Sequence, residues 1–166
     1  MEKLKNYLFY NSHTGEFHWL RKRGRLKAGD IAGSLDSDGY VRICFEGRYY
    51  KAHRLAWFFT YGSVPTQLDH VNRNKADNRI ENLRPCNDQQ NQANAGPMPS
   101  NTSGYRGIYY EPERDKWVAR ARITTSEGNR VRRHLGRFDT AEEAAKAYDE
   151  FRETRYGEFT LKNLKN

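Results

Sequence analysis

Residues 95–104, Ala-Gly-Pro-Met-Pro-Ser-Asn-Thr-Ser-Gly, show no hydrophobic period and consist largely of residues that neither helix nor strand accommodates well. They are expected to be a linker. The 166 residues then divide into two small domains, 1–94 and 105–163, neither long enough to bury a large core.

In the first half, short β-like runs alternate with turns. Tyr7-Leu8-Phe9-Tyr10 and Glu16-Phe17-His18-Trp19-Leu20 flank a polar turn ending in Gly15, which predicts a hairpin containing His13 and His18 as ordinary members. Turn signals at Ser37-Asp38-Gly39 and Glu46-Gly47 separate Tyr40-Val41-Arg42-Ile43-Cys44-Phe45 from Arg48-Tyr49-Tyr50-Lys51, a second hairpin. Residues 53–61 are expected to be helical, with Gly62 as the stop and Pro65 beyond it. The helix leucine and aromatics then supply core, and His53 is assigned a structural role.

Charge narrows the partner. There are 29 Lys and Arg against 21 Asp and Glu, a net charge of +8, and the mean hydropathy is −1.06. A basic, polar chain points to a polyanion, with double-stranded DNA the first candidate and anionic membrane a poor one. No apolar run reaches the length of a membrane span and the N-terminus lacks a signal-peptide core, so the expected location is the cytoplasm. Cys44 and Cys86 are the only cysteines, too few for a four-cysteine zinc site, and no zinc is expected. Arg21, Lys22, Arg23, Arg25 and Lys27 put five cations into seven residues. This run is either a solvated loop or a clamp on phosphate backbone.

Residues 68–94 carry the chemistry. Asp69 and His70 stand side by side after an apolar residue, followed by a polar loop, Ile80-Glu81-Asn82-Leu83, and an amide-rich helical run. A carboxylate and an amide oxygen suit a hard divalent cation, and a neighbouring imidazole suits proton abstraction from water. A lone Asp-His pair is ordinarily a solvated turn, and an Asn-rich run is ordinarily a polar helix face on which Asn94 is a neighbour of Asn91. Order and spacing decide against that reading.

Asp69-His70, then Asp77-Asn78-Arg79 with Asn82-Leu83, then Asn91 and Asn94 resemble the HNH endonucleases, in particular the phage and intron-encoded homing type. The likeness covers residues 41–94. It implies a ββα-metal motif in which Asp69 and Asn91 ligate magnesium or manganese and His70 is the general base. Asn82 would tie the two strands together through side-chain bonds to backbone. Asn91 stands where the family name would place a second histidine, and is taken as a variant ligand.

From Tyr105 the pattern changes to three strands and one helix: 105–109, 116–123 and 131–138, then 141 to about 156. In the second strand Trp117, Ala119, Ala121 and Ile123 alternate with Val118, Arg120 and Arg122, giving one core face and one cationic face. The third strand breaks parity, because Arg133 falls in phase with Val131 and Leu135. A bulge near Gly136 would reset it, and the sequence leaves this open. Thr140 with Glu143 forms a capping box, Gly157 is the expected stop, and Ala144, Ala145, Tyr148 and Phe151 make the stripe that lies on the sheet. Residues 106–137 hold nine basic and four acidic residues, and 139–158 hold three and seven. DNA is therefore expected on the sheet side.

Tyr105-Arg106-Gly107-Ile108, Leu135-Gly136-Arg137-Phe138-Asp139-Thr140 and Ala144-Ala145-Lys146-Ala147-Tyr148-Asp149 resemble the ethylene-response-factor (APETALA-two) type of DNA-binding domain over residues 103–163. The likeness implies a three-stranded antiparallel sheet packed on one helix and laid in the major groove. The DNA contacts it carries over are Arg106, Gly107, Arg120, Arg122, Arg132 and His134. Tyr109 and Glu111 stand where the plant domains often have basic residues, so no base preference transfers. Each arginine is either a base reader or a phosphate contact.

The expected fold class is α+β. The N-terminal β-hairpins carry the nuclease motif, the small sheet-and-helix domain comes after the linker, and Arg21, Arg23 and Arg25 add backbone contacts. Two functions compete. One is a metal-dependent, site-specific DNA endonuclease of the homing kind, a monomer or weak dimer that nicks one strand and implies no protein partner. The other is a sequence-specific DNA-binding regulator with a decayed nuclease motif, whose mark would be loss of Asp69 or His70. Both residues are present.

Overall fold

The computed structural model describes residues 1–96 and 101–164. Residues 97–100 of the expected linker lie outside the described residues. The chain forms two compact units, Met1–Asn87 and Asp88–Asn166.

The first unit opens with a 3-10 turn, Glu2–Asn6, whose Leu4 is buried. It runs into an antiparallel hairpin of β1 (Leu8–Tyr10) and β2 (Phe17–Trp19), in which Leu8 faces Trp19 and Tyr10 faces Phe17. Next in the chain is a three-stranded antiparallel sheet: β3 (Ser34–Leu35), β4 (Val41–Phe45) and β5 (Arg48–Lys51), with β4 in the middle. Helix α1 (Ala52–Tyr61) ends where Gly62 adopts φ 75 and donates its N–H to the Phe58 carbonyl, so the expected stop is the observed one. Strands β6 (Leu68–His70) and β7 (Leu83–Pro85) pair antiparallel. Leu8, Phe17, Trp19, Ile43, Phe45, Leu55, Ala56 and Leu83 meet in one core. The helix thus supplies the apolar floor under β7.

The second unit begins with α2 (Asp88–Asn94). This differs from the boundary expected at 95–104, because α2 is tied to later parts of the chain: Leu161 donates its N–H to the Ala93 carbonyl, and Arg106 Nη1 donates to the carbonyls of Gln92 and Ala95. Strands β8 (Ile108–Glu111), β9 (Lys116–Thr124) and β10 (Arg130–Phe138) form an antiparallel sheet in the order β10-β9-β8. Strand β8 starts three residues later than expected. Gly107 has φ +78, and a Cβ there would lie 2.2 Å from the Tyr148 ring, so Tyr105-Arg106-Gly107 turns instead of extending.

Helix α3 (Ala141–Tyr156) keeps its expected limits. The Thr140–Glu143 capping box is formed in both directions, and Gly157 stands just past the last turn. Its alanines and Tyr148 pack on Ile108, Ala119 and Ala121. The described residues thus form a mixed α/β chain of small antiparallel sheets and few helices. Among them, no helix is long and apolar enough to cross a membrane.

Candidate active site and nucleic-acid interface

Strand β6 puts Asp69 and His70 on adjacent positions, 6% and 5% exposed. The pairing sets Asp69 opposite Arg84 and His70 opposite Leu83. Arg84 exploits that register, donating from Nε and Nη2 to Asp69 Oδ2 at 3.1 and 2.9 Å. Arg84 was not singled out by sequence reasoning, since nothing local marks a strand arginine as the partner of a carboxylate on another strand.

The His70 ring lies edge-on to His53, with centroids 5.1 Å apart, and is tilted against Tyr40 at 5.9 Å. Burial pushes the His70 imidazole below its ordinary value, against the opposing pull of the Asn78 side chain and the Asp69 and Asp77 carboxylates. Burial also pushes His53 down to about 3, aided by the His70, Arg54 and Lys51 charges. Both rings are therefore neutral near pH 7. His53, expected to be structural, is also part of the wall against which His70 is held.

Asn82 is 5% exposed, and both ends of its amide are used. Its Oδ1 accepts the Asn72 N–H at 3.0 Å and its Nδ2 donates to the Asp77 carbonyl at 2.8 Å. These bonds clamp the loop between β6 and β7. The same loop is held from outside: Tyr10 donates its hydroxyl to the Asn78 carbonyl at 2.7 Å, and a Cβ on Gly15 would lie 2.5 Å from the Arg79 nitrogen. Arg79 and Asp77 pair within the loop at 2.8 Å, holding the Asp77 carboxyl down at about 2.

Asn91 is exposed on α2 and belongs to the second unit, whereas its neighbour Asn94 is 7% exposed. Among the described residues, no group of three or more His, Cys, Asp and Glu side chains is arranged to hold a metal ion. The donors named for a cation, the Asp69 carboxylate and the Asn91 amide, are hard oxygens of the type magnesium or manganese takes. Cys44 is exposed and Cys86 half-buried.

The basic run 21–27 separates into roles. Arg23 turns inward, donating Nη1 to the Cys44 carbonyl at 2.6 Å and covering the Trp19 ring at 4.7 Å. Arg21 lies over Tyr7 at 5.3 Å. Arg25 projects into solvent.

On the second unit the β9–β10 register settles the parity question. His134 pairs with Arg120 and Gly136 with Ala119, so Leu135 is the extra residue of a bulge. Before the bulge Arg132 faces Arg122 and Arg130 faces Thr124, and after it Arg137 faces Val118. Directly paired residues share a face. Arg120, Arg122, Arg130, Arg132, His134 and Arg137 therefore form one exposed cationic face. Arg130 and Arg137 were missed, the first as a strand end and the second because the bulge inverts its parity. Arg137 is partly neutralised by Glu111 at 2.7 Å. Val118 also lies on this side and is fully buried. Arg133 falls on the helix side, its guanidinium 5.3 Å from the Phe151 ring centroid.

Arg106 and Gly107 have structural duties of their own. The Arg106 side chain holds the end of α2, its backbone N–H donates to Asn163 Oδ1 at 2.7 Å, and Gly107 admits the Tyr148 ring.

Comparison with known proteins matches residues 50–93 to the HNH endonuclease family and residues 103–158 to the AP2 domain. The chain joins an HNH endonuclease domain to an AP2 domain. It is similar to Protein 3.8 of Escherichia phage T7, 32% identical over 75 residues covering 42% of this chain and 62% of that protein. It is also similar to the ethylene-responsive transcription factor ERN1 of Lotus japonicus, 47% identical over 51 residues covering 31% of this chain and 18% of that protein. The chain thus spans less than two thirds of either relative. No solved structure matches it. The HNH match contains Asp69, His70, Asn82 and Asn91, and the AP2 match contains the whole cationic sheet face. The HNH match also extends into α2, which the contacts group with the AP2 unit.

Proposed function

We propose that this protein is a metal-dependent, site-specific DNA endonuclease of the homing type that acts as a monomer and nicks one strand. The observation that carries the reading is the buried Asp69-His70 pair on β6, inside the HNH match, with each side chain held by its own neighbours. His70 is the general base. Its burial keeps the imidazole neutral, and His53, Tyr40 and the Asn82-clamped loop restrict its ring, so that it takes the proton from the attacking water. Asp69 and Asn91 would hold a hard divalent cation, magnesium or manganese, which would supply Lewis-acid stabilisation of the charge that develops in phosphodiester hydrolysis. Arg84 directs the Asp69 carboxylate through two guanidinium hydrogen bonds to Oδ2.

The AP2 sheet supplies the affinity for double-stranded DNA. Arg120, Arg122, Arg132 and His134, with Arg130, enter the groove or grip its backbone, and the first unit adds Arg21 and Arg25. Arg106 and Gly107 contribute by holding that module in shape. A phage-borne mobile element is the setting in which the homing reading and the phage relative agree.

One observation favours the DNA-binding regulator: Asp69 Oδ2 already receives two guanidinium donors, which suits a structural ion pair as well as a ligand. The deciding experiment is nicking of supercoiled DNA by wild type and Asp69→Ala, with magnesium, manganese or a chelator. Metal-dependent nicks that Asp69→Ala and His70→Ala lose while DNA affinity stays within about twofold are expected. If both variants lose binding and cutting together, the assigned roles are wrong.

A further inference from the structure

Arg152 is the most deeply buried cation of the AP2 unit, 4% exposed, and among the described residues it has no ion-pair partner. Its Nη1 donates to the Tyr148 hydroxyl at 3.2 Å, and the guanidinium lies over the rings of Tyr148 and Tyr156 at 5.6 and 4.9 Å. Among the described residues, its Nε and Nη2 have no hydrogen-bond partner. These two donors form the parallel fork with which an arginine grips two oxygens of one anion. On the same helix Glu153 pairs with Lys162, and the buried Asp149 uses its Oδ2 to accept the N–H groups of Asn163 and Leu164, its Oδ1 having no hydrogen-bond partner among the described residues.

Burying a guanidinium with no ion-pair partner is costly in desolvation. The surroundings make this worse. Arg152 lines a cavity of about 580 Å³ together with Arg106, Arg120, Arg122 and Arg130, and no Asp or Glu is among the residues around it. Burial, with the Arg152 charge contributing, lowers the Arg106 pKa from its ordinary value. Amide groups of Gln89, Gln92 and Asn101 complete a polar wall.

We infer that this cavity is a phosphate site, in which the Arg152 Nε/Nη2 fork grips a phosphate group and the other arginines balance its charge. Phosphate fits better than carboxylate because its oxygens can serve several guanidinium forks at once, and the cavity is large enough for a group of nucleotide size. The site takes in Gln89 and Gln92 of the helix that also carries Asn91, but neither Asp69 nor His70, and its test needs no cleavage. Two sources share this chemistry: a free phosphate or nucleotide, and a backbone phosphate of DNA lying on the sheet, since Arg120, Arg122 and Arg130 border both cavity and sheet face.

The test uses the full chain and its arginine Nε–H resonances, with no divalent metal present. Sodium phosphate is titrated at constant ionic strength against sodium chloride, and a short duplex is then added. A saturable shift of the Arg152 Nε–H with phosphate or with the duplex, but not with chloride, is the expected result. Arg152→Lys, which keeps the charge and loses the fork, should weaken that binding at least tenfold. Loss of the phosphate-induced shift when duplex is added identifies a DNA backbone phosphate, and additive shifts identify a free ligand. An Arg152 Nε–H that responds to chloride and phosphate alike and is unmoved by duplex overturns the proposal. This reading comes from the wild type, so it holds whether or not Arg152→Lys folds.

Discussion

Arg84 places both Nε and Nη2 on a single oxygen of Asp69, at 3.1 and 2.9 Å, with the two side chains 13% and 7% exposed. An ion pair this enclosed holds the carboxylate in one orientation. Removing Arg84 takes two charge-assisted hydrogen bonds from a buried carboxylate. Arg84→Ala is expected to destabilise the first unit by about 3 kcal/mol in urea unfolding. The Asp69→Ala, Arg84→Ala double variant should lose less than the sum of the singles. Additive losses would mean that the pair contributes nothing as a pair.

Gly107 faces the Tyr148 ring at a distance no side chain tolerates, and its φ of +78 is costly for other residues. Gly107→Ala should destabilise the second unit by about 3 kcal/mol, combining overpacking with backbone strain. Thermal unfolding of the variant checks this. An unchanged Tm would remove the packing role and leave DNA contact as the reason for glycine there.

The exposed sheet face predicts how DNA affinity responds to salt. Arg120→Ala combined with Arg122→Ala should weaken duplex binding and reduce the slope of log K against log salt by about two. Unchanged affinity and slope would move the DNA face elsewhere. If the loss is equal for all duplex sequences, the two arginines are phosphate contacts; if it is confined to a preferred site, they read bases.

His53 sets a pH dependence of stability. Its pKa falls from 6.5 unfolded to about 3 folded, so the unfolded chain binds more protons in that window. Stability is therefore complete above about pH 6.5 and is lost as pH falls toward 3. Between pH 7 and pH 5 the loss from this residue is about 2 kcal/mol. His53→Phe, which cannot titrate, should flatten that limb in denaturant unfolding, and an equally steep limb would assign the effect to another group.

The Asp77 carboxyl gives a second window at lower pH. Arg79 holds it down at about 2, below its ordinary 3.8, so the stability it contributes is present above about pH 4 and vanishes as pH falls through 2. Asp77→Asn should shift the acid-unfolding midpoint of the first unit upward. An unmoved midpoint would mean that the Asp77–Arg79 pair does not hold the loop.

Elements whose signals are local could be read from the chain: α3 from its Thr140–Glu143 box and alanine stripe, α1 from its Gly62 stop, and the hairpins from their turns. The same holds for the adjacency of Asp69 and His70, since neighbours in a strand need no fold to bring them together. Features that depend on pairing between distant segments could not be read. The Leu135 bulge decides that Arg137 joins the cationic face while Arg133 lies under the helix side, because register belongs to two strands at once. Arg84 reaches Asp69 and His53 reaches His70 only once β6, β7 and α1 are packed. Helix α2 groups with the AP2 unit, although composition put the break after it, because Arg106 and Leu161 bond to its carbonyls. Composition reports which residues avoid regular structure. Which unit a short helix joins is set by tertiary hydrogen bonds that no local pattern encodes.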